Sequence, residues 1–360
     1  MKKKIRIVFI IGTRPQYIKL SPILRKIKEK KYNKYFNFKI IDTGQHYDKN
    51  MSDDFYSELQ LKKANINLKV GSNKSNIQTA KILIALEDKI NLRNKIDYVI
   101  VFGDTNSTLA ASIFSIKNSI KLIHIESGLR SYEKFMPEEI NRVITDIIST
   151  ILFCPTKNAV MNLKKEGIKN NVINSGDLMY DNFLFFKKKF IKTKLSKNYY
   201  ILVTIHRAEN TDNIDYLINF INILKELSKN HHIIFPMHPR TKKILMNKKI
   251  ETDNIQILPP QSYLNILKLL INSKVLVTDS GGLQKEAFFA EKPCVTIRKK
   301  TEWSETLHGG WNRLANINNE LDILNKIKQA LNFKKKKSPN LFFGNGKSAS
   351  VILDYLIKIT

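Results

Sequence analysis

The sequence predicts an α/β protein of two Rossmann-like domains, each a doubly wound parallel sheet covered by helices, with a cleft between them. Short apolar runs rich in Ile and Val recur along the 360 residues, and longer segments of helical periodicity separate them. Continuous apolar strands that alternate with helices are typical of parallel sheets buried on both faces. About ten such strands are too many for one ordinary sheet, so the pattern indicates two.

The candidate strands form two groups with a strand-free segment between them. In the first half they span 5–11, 38–43, 98–102, 121–126 and 151–154. In the second half they span 200–206, 232–238, 255–258, 274–279 and 294–297. Residues 176–199 are rich in Phe and Lys and lack a strand pattern. We therefore expect an N-terminal domain at 1–175, a second domain at 176–340, and a last helix in 341–360 that could pack back on the first.

The formal net charge of +29 invites a nucleic-acid-binding interpretation. The lysines are spread along the whole chain, however, and accompany abundant Ile and Asn, which indicates a compositional bias. No zinc-finger spacing, aromatic RNA-binding signature or basic-zipper pattern is present in the sequence. We therefore expect no nucleic-acid partner, although a basic surface can attract an anionic substrate.

The cysteines and the hydropathy of the sequence indicate the cellular compartment in which the protein is expected. Cys154 and Cys294 are the only cysteines, and both lie in apolar strand-like runs. Two such thiols do not make a disulfide framework, so we expect a cytoplasmic location. The N-terminal apolar run is followed by Gly-Thr-Arg-Pro, which predicts a first strand and not a signal peptide. No run approaches the roughly 18 apolar residues of a membrane span, so no membrane insertion is expected.

Ligands of open parallel sheets bind beyond the carboxyl ends of the strands, so the residues there are candidates for a site. After the first strand, "GTRPQYIKL" lacks the G-x-G-x-x-G fingerprint of dinucleotide binding, and no nicotinamide cofactor is expected. Arg14 and Lys19 flank the N-terminus of the helix that follows, a position that favours anions. For Lys19, a solvated surface position is an equal alternative.

Two acidic residues follow neighbouring strands. Asp104 comes after "YVIVF" and either caps the next helix or serves as a catalytic carboxylate. Glu126 closes "KLIHIE", with His124 expected on the same face of the strand. Because a buried charge is costly, Glu126 needs a function or an ion-pair partner, for which Arg130 and Arg142 are candidates.

A helix is expected to begin within "MPEEINR". Glu139 fits the role of a favourable charge at the helix N-terminus. Glu138 could do the same, or it could turn back towards Asp104 and Glu126. Glu133, in the preceding loop, is expected to be solvated.

In the second half, cationic side chains follow two strands. His206 and Arg207 end "VTIHR", and His238 ends "FPMH". A lone histidine is most often a satisfied polar residue. One at a strand end beside an arginine is a better candidate for ligand contact.

The strongest local pattern is "VLVTDSGGLQKEA". A predicted strand ends at Asp279, and Ser280, Gly281 and Gly282 open a helix. Small residues let the backbone approach a ligand, and free N–H groups with the helix dipole bind phosphate. Glu286, one turn into the helix, can accept hydrogen bonds from ribose hydroxyls. A simple glycine turn is the structural alternative.

These motifs together resemble the non-hydrolysing UDP-N-acetylglucosamine 2-epimerase family. The matching blocks include "GTRPQYIKLSP", "TGQHYD", "GDTNSTLAAS", "HIESGLRS", "MPEEINR", "HRAEN", "TDSGGLQKEA" and "TEWSE", in family order over nearly the whole chain. The resemblance implies a GT-B-like fold, a homodimer, and no metal or other cofactor. It further implies interconversion of UDP-GlcNAc and UDP-ManNAc for surface polysaccharide precursors.

The resemblance also implies roles for individual residues. The catalytic carboxylates would be Asp104, Glu126 and Glu138, and the essential histidine would be His206. The nucleotide-binding positions would be Arg14, Ser280, Gly281, Gly282 and Glu286. We add three cationic side chains near strand ends as candidate substrate contacts, namely Lys19, Arg207 and His238.

Local variations of the motifs bear on the branch of the family. "HRAENTD", "QKEAFF" and "TEW" are similar to UDP-2,3-diacetamido-2,3-dideoxyglucuronate 2-epimerases, which supply the alternative activity. Pro15-Gln16 stands where hydrolysing relatives have Ala-Asp, which argues against hydrolysis. "YDKNM" follows Gln45 and His46 in place of the family's Arg-Glu, which argues against activation by a second UDP-sugar. A GT-B glycosyltransferase is a remoter alternative that leaves the clustered carboxylates without a role.

The family's reaction explains these residue types. The C–H at C2 of the sugar is not next to a carbonyl, so the implied route is elimination of UDP to a 2-acetamidoglucal and re-addition. This route needs a base, an acid and groups that hold the departing UDP. Clustered carboxylates raise each other's pKa, so we expect one of them to exchange protons near neutral pH.

Overall fold

The computed structural model describes residues 4–45, 52–90, 95–190, 199–211, 213–237, 239–334 and 340–360. For 52–54, 208–209, 239–240 and 340–341 only the backbone is described. The chain divides into two compact units. Unit one comprises residues 1–185 with 341–360, and unit two comprises residues 186–340.

Unit one is built on a sheet of seven parallel strands. They are β1 (Ile5–Ile11), β2 (Phe36–Asp42), β3 (Ile66–Asn67), β4 (Tyr98–Phe102), β5 (Lys121–Ile125), β6 (Ile151–Cys154) and β7 (Val172–Asn174). Their order is β3-β2-β1-β4-β5-β6-β7, so the chain reverses its direction of winding after β3. This is the doubly wound arrangement, in which the switch between β1 and β4 leaves a crevice at the carboxyl ends.

Unit two repeats the plan with six parallel strands. They are β8 (Ile201–Thr204), β9 (Ile233–Pro236), β10 (Ile255–Leu258), β11 (Val275–Thr278), β12 (Cys294–Ile297) and β13 (Asn312–Ala315). Their order is β10-β9-β8-β11-β12-β13, with the switch between β8 and β11. The predicted α/β class with two parallel sheets is confirmed.

Helices join the strands in both units. In chain order they are α1 (Arg14–Ile27), α2 (Lys30–Asn33), α3 (Ser52–Glu58), α4 (Ser75–Lys89), α5 (Asn106–Lys117), α6 (Pro137–Ile148), α7 (Lys157–Lys165), α8 (Leu178–Phe190), α9 (Ala208–Thr211), α10 (Ile214–Ser228), α11 (Pro239–Asn247), α12 (Tyr263–Asn272), α13 (Gly281–Phe289), α14 (Glu320–Leu331) and α15 (Ser348–Lys358). Two short 3-10 segments lie at Ser304–Gly310 and Asn340–Phe343. No helix of the described ranges is long and apolar enough to cross a membrane.

All ten strands expected from apolar runs are present, and three others were missed. The missed strands are β3, β7 and β13, which are edge strands of their sheets and short. An edge strand has one neighbour and stays partly solvated, so its sequence need not be a continuous apolar run. "IN", "VIN" and "NRLA" accordingly carry no hydrophobic pattern that sequence reasoning could recognise.

The division between the units falls inside α8, after residue 185, and not after residue 175. The first half of α8 packs on unit one, where Asn182 accepts hydrogen bonds from Ser21 Oγ (2.9 Å) and Arg25 Nη2 (2.7 Å) of α1. The last helix, α15, belongs to the same unit. Its first backbone N–H groups, at Ser348 and Ala349, donate to the carboxylate of Asp181.

The loop after β5 depends on a glycine. Gly128 has φ +78°, and a Cβ there would lie 2.3 Å from the carbonyl oxygen of Ala159. We predict that Gly128→Ala lowers the free energy of unfolding by about 3 kcal/mol or more, because the left-handed strain adds to a backbone collision. The matched control is Gly167→Ala, at φ +85° in open space, which should lose only about 1 kcal/mol. Urea denaturation measures both. Equal losses would contradict a collision at Gly128.

Candidate active site

The carboxyl ends of β4 and β5 bring two acidic residues together in unit one. The strands pair with Phe102 opposite Ile125, so the residues that follow each strand are neighbours. The Gly103 N–H donates to the Ile125 carbonyl at 3.0 Å, and Asp104 comes next. Glu126 leaves the strand with φ +72°, an uncommon conformation for a residue other than glycine. Such backbone outliers tend to cluster at functional sites.

Each of these carboxylates is paired with a cation from a helix. Lys19 of α1 forms an ion pair with Glu126, and both side chains are buried. Arg142 of α6 forms an ion pair with Asp104, whose side chain is 30% exposed. Arg130, one of the two arginines expected as partners of Glu126, pairs with other carboxylates, so that alternative is wrong. The solvated-surface alternative for Lys19 is also wrong, because α1 turns this side chain inward.

Arg142 also binds Glu139, which links α6 to the loop before it. The Glu139 carboxylate accepts hydrogen bonds from the N–H groups of Ser131 (2.9 Å) and Tyr132 (2.9 Å). It also accepts from the Ser131 hydroxyl at 3.0 Å. Glu139 lies in the first turn of α6 as expected, but its interpretation as a simple helix-end charge is incomplete. It holds the loop that follows Glu126.

The remaining glutamates of this segment are exposed. Glu133 lies in the loop, and Glu138 lies in the first turn of α6 beside Pro137. The structure thus brings Asp104 and Glu126 into one charge network through Lys19 and Arg142. It leaves Glu138 at the adjacent helix end, with its side chain towards solvent.

Asp104 does not cap α5, and its surroundings favour the ionised form of its carboxyl group. Thr105 caps α5, since its hydroxyl accepts a hydrogen bond from the Thr108 N–H. Burial alone would raise the pKa of Asp104, but the charges of Arg142 and Lys19 outweigh it and hold that pKa below its usual range. The expectation that clustered carboxylates raise each other's pKa is wrong for Asp104. Cations alternate with the acids in this cluster.

His124 lies on β5, two residues before Glu126, and is buried more completely than Glu126. Its ring is fully buried, with Nδ1 2.7 Å from Asp146 Oδ1 and Nε2 2.8 Å from the Gly103 carbonyl. Both partners accept, an arrangement that a doubly protonated imidazolium satisfies. Asp146 accepts two further bonds, from the Gly128 N–H and from Arg130. The imidazole thereby holds the turn that carries Asp104.

Burial raises the pKa of Asp146, but His124 and Arg130 outweigh that effect and lower it overall. Sequence reasoning missed this residue, since it stands alone in the apolar helix sequence "RVITDII". An acidic residue on the buried face of a helix is the one signal that could have revealed it.

Gln16, also missed as a site residue, ties the turn after β1 to the end of β4. Its side-chain amide donates to the carbonyl of Phe102 at 2.8 Å and to the Thr108 hydroxyl at 3.0 Å. Its carbonyl oxygen accepts from the Gly12 N–H at 2.8 Å. The buried side chain of Gln16 therefore links two strand ends.

Arg14 begins α1 and is half-buried, with its guanidinium 5.2 Å from the ring centre of Phe55. Residues 46–51, which include His46 and the "YDKNM" departure, lie outside the described residues. His238, a predicted substrate contact, lies outside them as well.

In unit two, β8 and β11 place a histidine beside a buried aspartate. Thr204 pairs with Thr278, so the residues after these strands are neighbours. Asp279 has no exposed surface, and its carboxylate lies 3.1 Å from Nδ1 of His206, whose side chain is 55% exposed. Sequence reasoning treated Asp279 only as the end of a strand. The sequence did contain a signal, because a charged residue at the end of an apolar run indicates a functional position.

The helix that follows Asp279 begins as expected. Ser280 caps α13, and its hydroxyl accepts a hydrogen bond from the Leu283 N–H. A Cβ on Gly281 would lie 2.7 Å from a carboxylate oxygen of Glu302, so a larger residue here would displace the end of that side chain. Glu302 is in turn 3.0 Å from Arg298, which offsets its charge near the helix N-terminus. Gly282 completes the first turn.

Glu286 lies further along α13, and only 2% of it is exposed. Arg207 is half-buried at the start of the loop after β8. Within the described ranges, no cluster of three or more His, Cys, Asp or Glu side chains is arranged to hold a metal ion.

The lowered pKa of Asp104 predicts how the stability of the fold changes with pH. Its ionised form stabilises the fold above the pKa of an unfolded aspartate, about 3.9, and that contribution is lost as pH falls through the lower folded value. We predict that Asp104→Asn lowers the free energy of unfolding by about 2 kcal/mol at pH 7. This difference from wild type should shrink below about pH 4. Urea denaturation between pH 2.5 and pH 7 measures it, with Asp88→Asn on the exposed face of α4 as control. If the difference in unfolding free energy between wild type and Asp104→Asn grew on acidification, the pKa of Asp104 would be raised by folding and the prediction would be wrong.

Comparison with known proteins places this chain in a family. The family model described as UDP-N-acetylglucosamine 2-epimerase matches residues 28–357. A UDP-N-acetylglucosamine 2-epimerase homolog of Methanococcus maripaludis is 45% identical, over 98% of this chain and 99% of its own. The UDP-2,3-diacetamido-2,3-dideoxy-D-glucuronate 2-epimerase of Pseudomonas aeruginosa is 39% identical, over 98% of this chain and 100% of its own.

A solved structure agrees in fold over the same length. The crystal structure of Methanocaldococcus jannaschii UDP-GlcNAc 2-epimerase in complex with UDP-GlcNAc and UDP superposes with a TM-score of 0.89. It is 40% identical and covers 98% of this chain and 100% of that one. The resemblance carried by the motifs is confirmed, and the chain belongs to the UDP-N-acetylglucosamine 2-epimerase family.

Proposed function

We propose that this protein is a non-hydrolysing UDP-N-acetylglucosamine 2-epimerase, an isomerase that interconverts UDP-GlcNAc and UDP-ManNAc. The observation that carries the proposal is the pair Asp104 and Glu126, two strand-end carboxylates that each face a cation. They lie in a chain whose relatives along its whole length are named 2-epimerases of UDP-sugars. The family's use of these sugars in surface polysaccharide synthesis supports the same role here.

The proposed reaction proceeds by elimination and re-addition. In the first half, the C1–O bond breaks and its electron pair leaves with UDP, while the C2 proton passes to a base. A C1=C2 double bond forms, giving 2-acetamidoglucal. In the second half, UDP adds back at C1 and a proton is delivered to the opposite face of C2. The protein must supply proton-transferring groups and must stabilise the charge on departing UDP.

Unit one supplies the proton-transferring groups in this proposal. A lowered pKa keeps Asp104 ionised near neutral pH, the state that a base requires. Lys19 stabilises ionised Glu126 in the same way that Arg142 stabilises Asp104. Each cation therefore favours release of a proton gained in one half of the reaction. Glu138, at the exposed start of α6, is the third proposed carboxylate.

Most of the groups proposed to bind UDP belong to unit two, and Arg14 and Lys19 belong to unit one. The N-terminus of α13 presents the N–H groups of Gly281 and Gly282, which favour a diphosphate, next to the hydroxyl of the cap residue Ser280. Glu286 is proposed to accept hydrogen bonds from the ribose hydroxyls. Cationic or protonatable side chains would stabilise the leaving group; those proposed are Arg14, Lys19, Arg207, His206 and His238.

UDP-2,3-diacetamido-2,3-dideoxyglucuronate is the second candidate substrate. The observation that favours it is the 39% identity to the Pseudomonas aeruginosa enzyme that is named for it. The same carboxylates would act on the same carbon, so only the contacts to the C3 and C6 substituents would differ.

A cytoplasmic location and a homodimer complete the proposal. Free buried thiols at Cys154 and Cys294 suit a reducing compartment. The homodimer is supported by an apolar surface on unit one. α6 exposes three isoleucines at helical spacing, and α4 exposes two more; they are Ile140, Ile144, Ile147, Ile77 and Ile84. α4 and α6 both pack on α5. Exposed apolar faces of this kind are typical of subunit contacts.

The epimerase reaction is tested by NMR in D2O with UDP-GlcNAc, and in parallel with UDP-2,3-diacetamido-2,3-dideoxyglucuronate. We expect wild type to exchange the C2 proton for deuterium and to form the C2 epimer. Glu126→Gln should lower turnover by about 100-fold or more while UDP still binds, because an amide cannot transfer the proton. The matched control is Glu133→Gln in the same loop, which should keep wild-type turnover. Wild-type turnover in Glu126→Gln would remove Glu126 from the mechanism.

The dimer prediction is tested by mass in solution. Wild type should sediment at twice the protomer mass of 41.8 kDa. Ile147→Lys, on the exposed face of α6, should raise the dimer dissociation constant by at least about tenfold, since a charge is buried on association. Leu321→Lys, equally exposed on α14 of unit two, is the control and should remain a dimer. A dimeric Ile147→Lys protein would place the interface elsewhere.

A further inference from the structure

Asp279 is a charged side chain in the interior of unit two. Its carboxylate has no exposed surface, and burying a charge costs several kcal/mol unless hydrogen bonds replace water. Burial accordingly raises its pKa, but His206, the Arg207 N–H and Asn210 outweigh that effect and lower it overall. The carboxylate is therefore ionised at neutral pH.

The contacts of this carboxylate are of two kinds. Among the described residues, two contacts are to backbone N–H groups of the loop after β8, at His206 (3.1 Å) and Arg207 (2.9 Å), and a third is to the side-chain amide of Asn210 (3.0 Å). The fourth is to the imidazole of His206, through Nδ1 at 3.1 Å. The first three join Asp279 to the loop without involving the imidazole ring. The contact with the ring therefore has a consequence of its own.

That consequence is the protonation pattern of the ring. An ionised carboxylate has no proton to donate, so Nδ1 of His206 must carry one. In the neutral ring this leaves the lone pair on Nε2, which points away from Asp279. When the ring takes up a second proton, Nε2 becomes a donor and the carboxylate balances the new charge. The side chain is 55% exposed, so a ligand can reach it.

We infer that Asp279 is the positioning residue for His206: it keeps a proton on Nδ1 and orients the ring so that Nε2, once protonated, faces the diphosphate of the UDP-sugar. This inference rests on the proposed function. When the C1–O bond breaks, its electron pair moves onto a diphosphate oxygen, and protonated Nε2 donates a hydrogen bond to that oxygen. Asp279 itself contacts no substrate atom. Its neighbour Ser280 caps α13, so one short segment orients both the imidazole and the phosphate-binding helix end.

The test replaces the carboxylate with its neutral isostere, Asp279→Asn, in the full-length protein. Histidine-selective 15N NMR with UDP present reports the tautomer, and His206→Gln assigns the signals. Wild type should show a proton on Nδ1 of His206, and the variant should shift towards the Nε2–H tautomer. We expect kcat for the UDP-sugar to fall about 100-fold or more, as when a histidine loses its orienting aspartate, with little change in KM.

Asn210→Ala is the matched control, because it removes a donor to the same carboxylate and leaves the charge in place. It should keep the Nδ1–H tautomer and a kcat near that of wild type. An equal loss of kcat in both variants would overturn the inference, since Asp279 would then act through the loop alone. Wild-type kcat and tautomer in Asp279→Asn would also overturn it.

Two outcomes separate this inference from the proposed function. Wild-type protein that epimerises neither UDP-sugar contradicts the proposed function, while the tautomer of His206 with UDP bound still decides the role of Asp279. Should Asp279→Asn fail to fold, the wild-type spectrum decides alone. A His206 ring protonated only on Nε2 would refute the assignment.

Discussion

The arrangement of unit one depends on the pairing of two strand-end carboxylates with two helix cations. Glu126 and Asp104 follow adjacent strands of a parallel sheet, where desolvation opposes the ionised state. Lys19 reaches them from α1 and Arg142 from α6, and each neutralises one carboxylate. Acids in a strongly basic chain are stable here because the charges alternate in space. The same alternation keeps Asp104 ionised and so available to accept a proton.

A second layer of polar groups holds these residues in place without facing a substrate. His124 and Asp146 brace the turn at Gly103, Glu139 braces the loop after Glu126, and Gln16 joins two strand ends. Buried polar networks of this kind stabilise a structure only when every member has a partner. Their abundance around Asp104 and Glu126 indicates that the geometry of the pair is fixed before any ligand binds.

Unit two also contains a buried carboxylate, but among the described residues hydrogen-bond donors stabilise its charge in place of lysine or arginine. Its buried carboxylate, Asp279, is enclosed by N–H groups and an imidazole and does not face outward. The accessible groups are the N-terminus of α13 and His206, both suited to negative charge. Unit one thus places carboxylates beside cations, and unit two presents groups suited to anions.

Much of the fold could be read from the sequence, because buried parallel strands are continuous apolar runs. β1, β4, β6, β10 and β12 have the bounds that those runs predicted. The edge strands β3, β7 and β13 were missed, since partial solvation removes the pattern. Strand ends were placed less well, and Glu126 proved to lie in a left-handed turn beyond β5.

The sequence by itself determined which residue types stand at the strand ends, and with them the family. Only the tertiary structure decided how those residues are paired. Arg130 was one of the two arginines expected beside Glu126, yet Arg130 binds Asp146, and Glu126 pairs with Lys19, 107 residues away in the sequence. The direction of the Asp104 pKa and the burial of Asp279 against His206 were equally out of reach. Electrostatic interactions depend on distance in space and on desolvation, and a linear sequence contains neither.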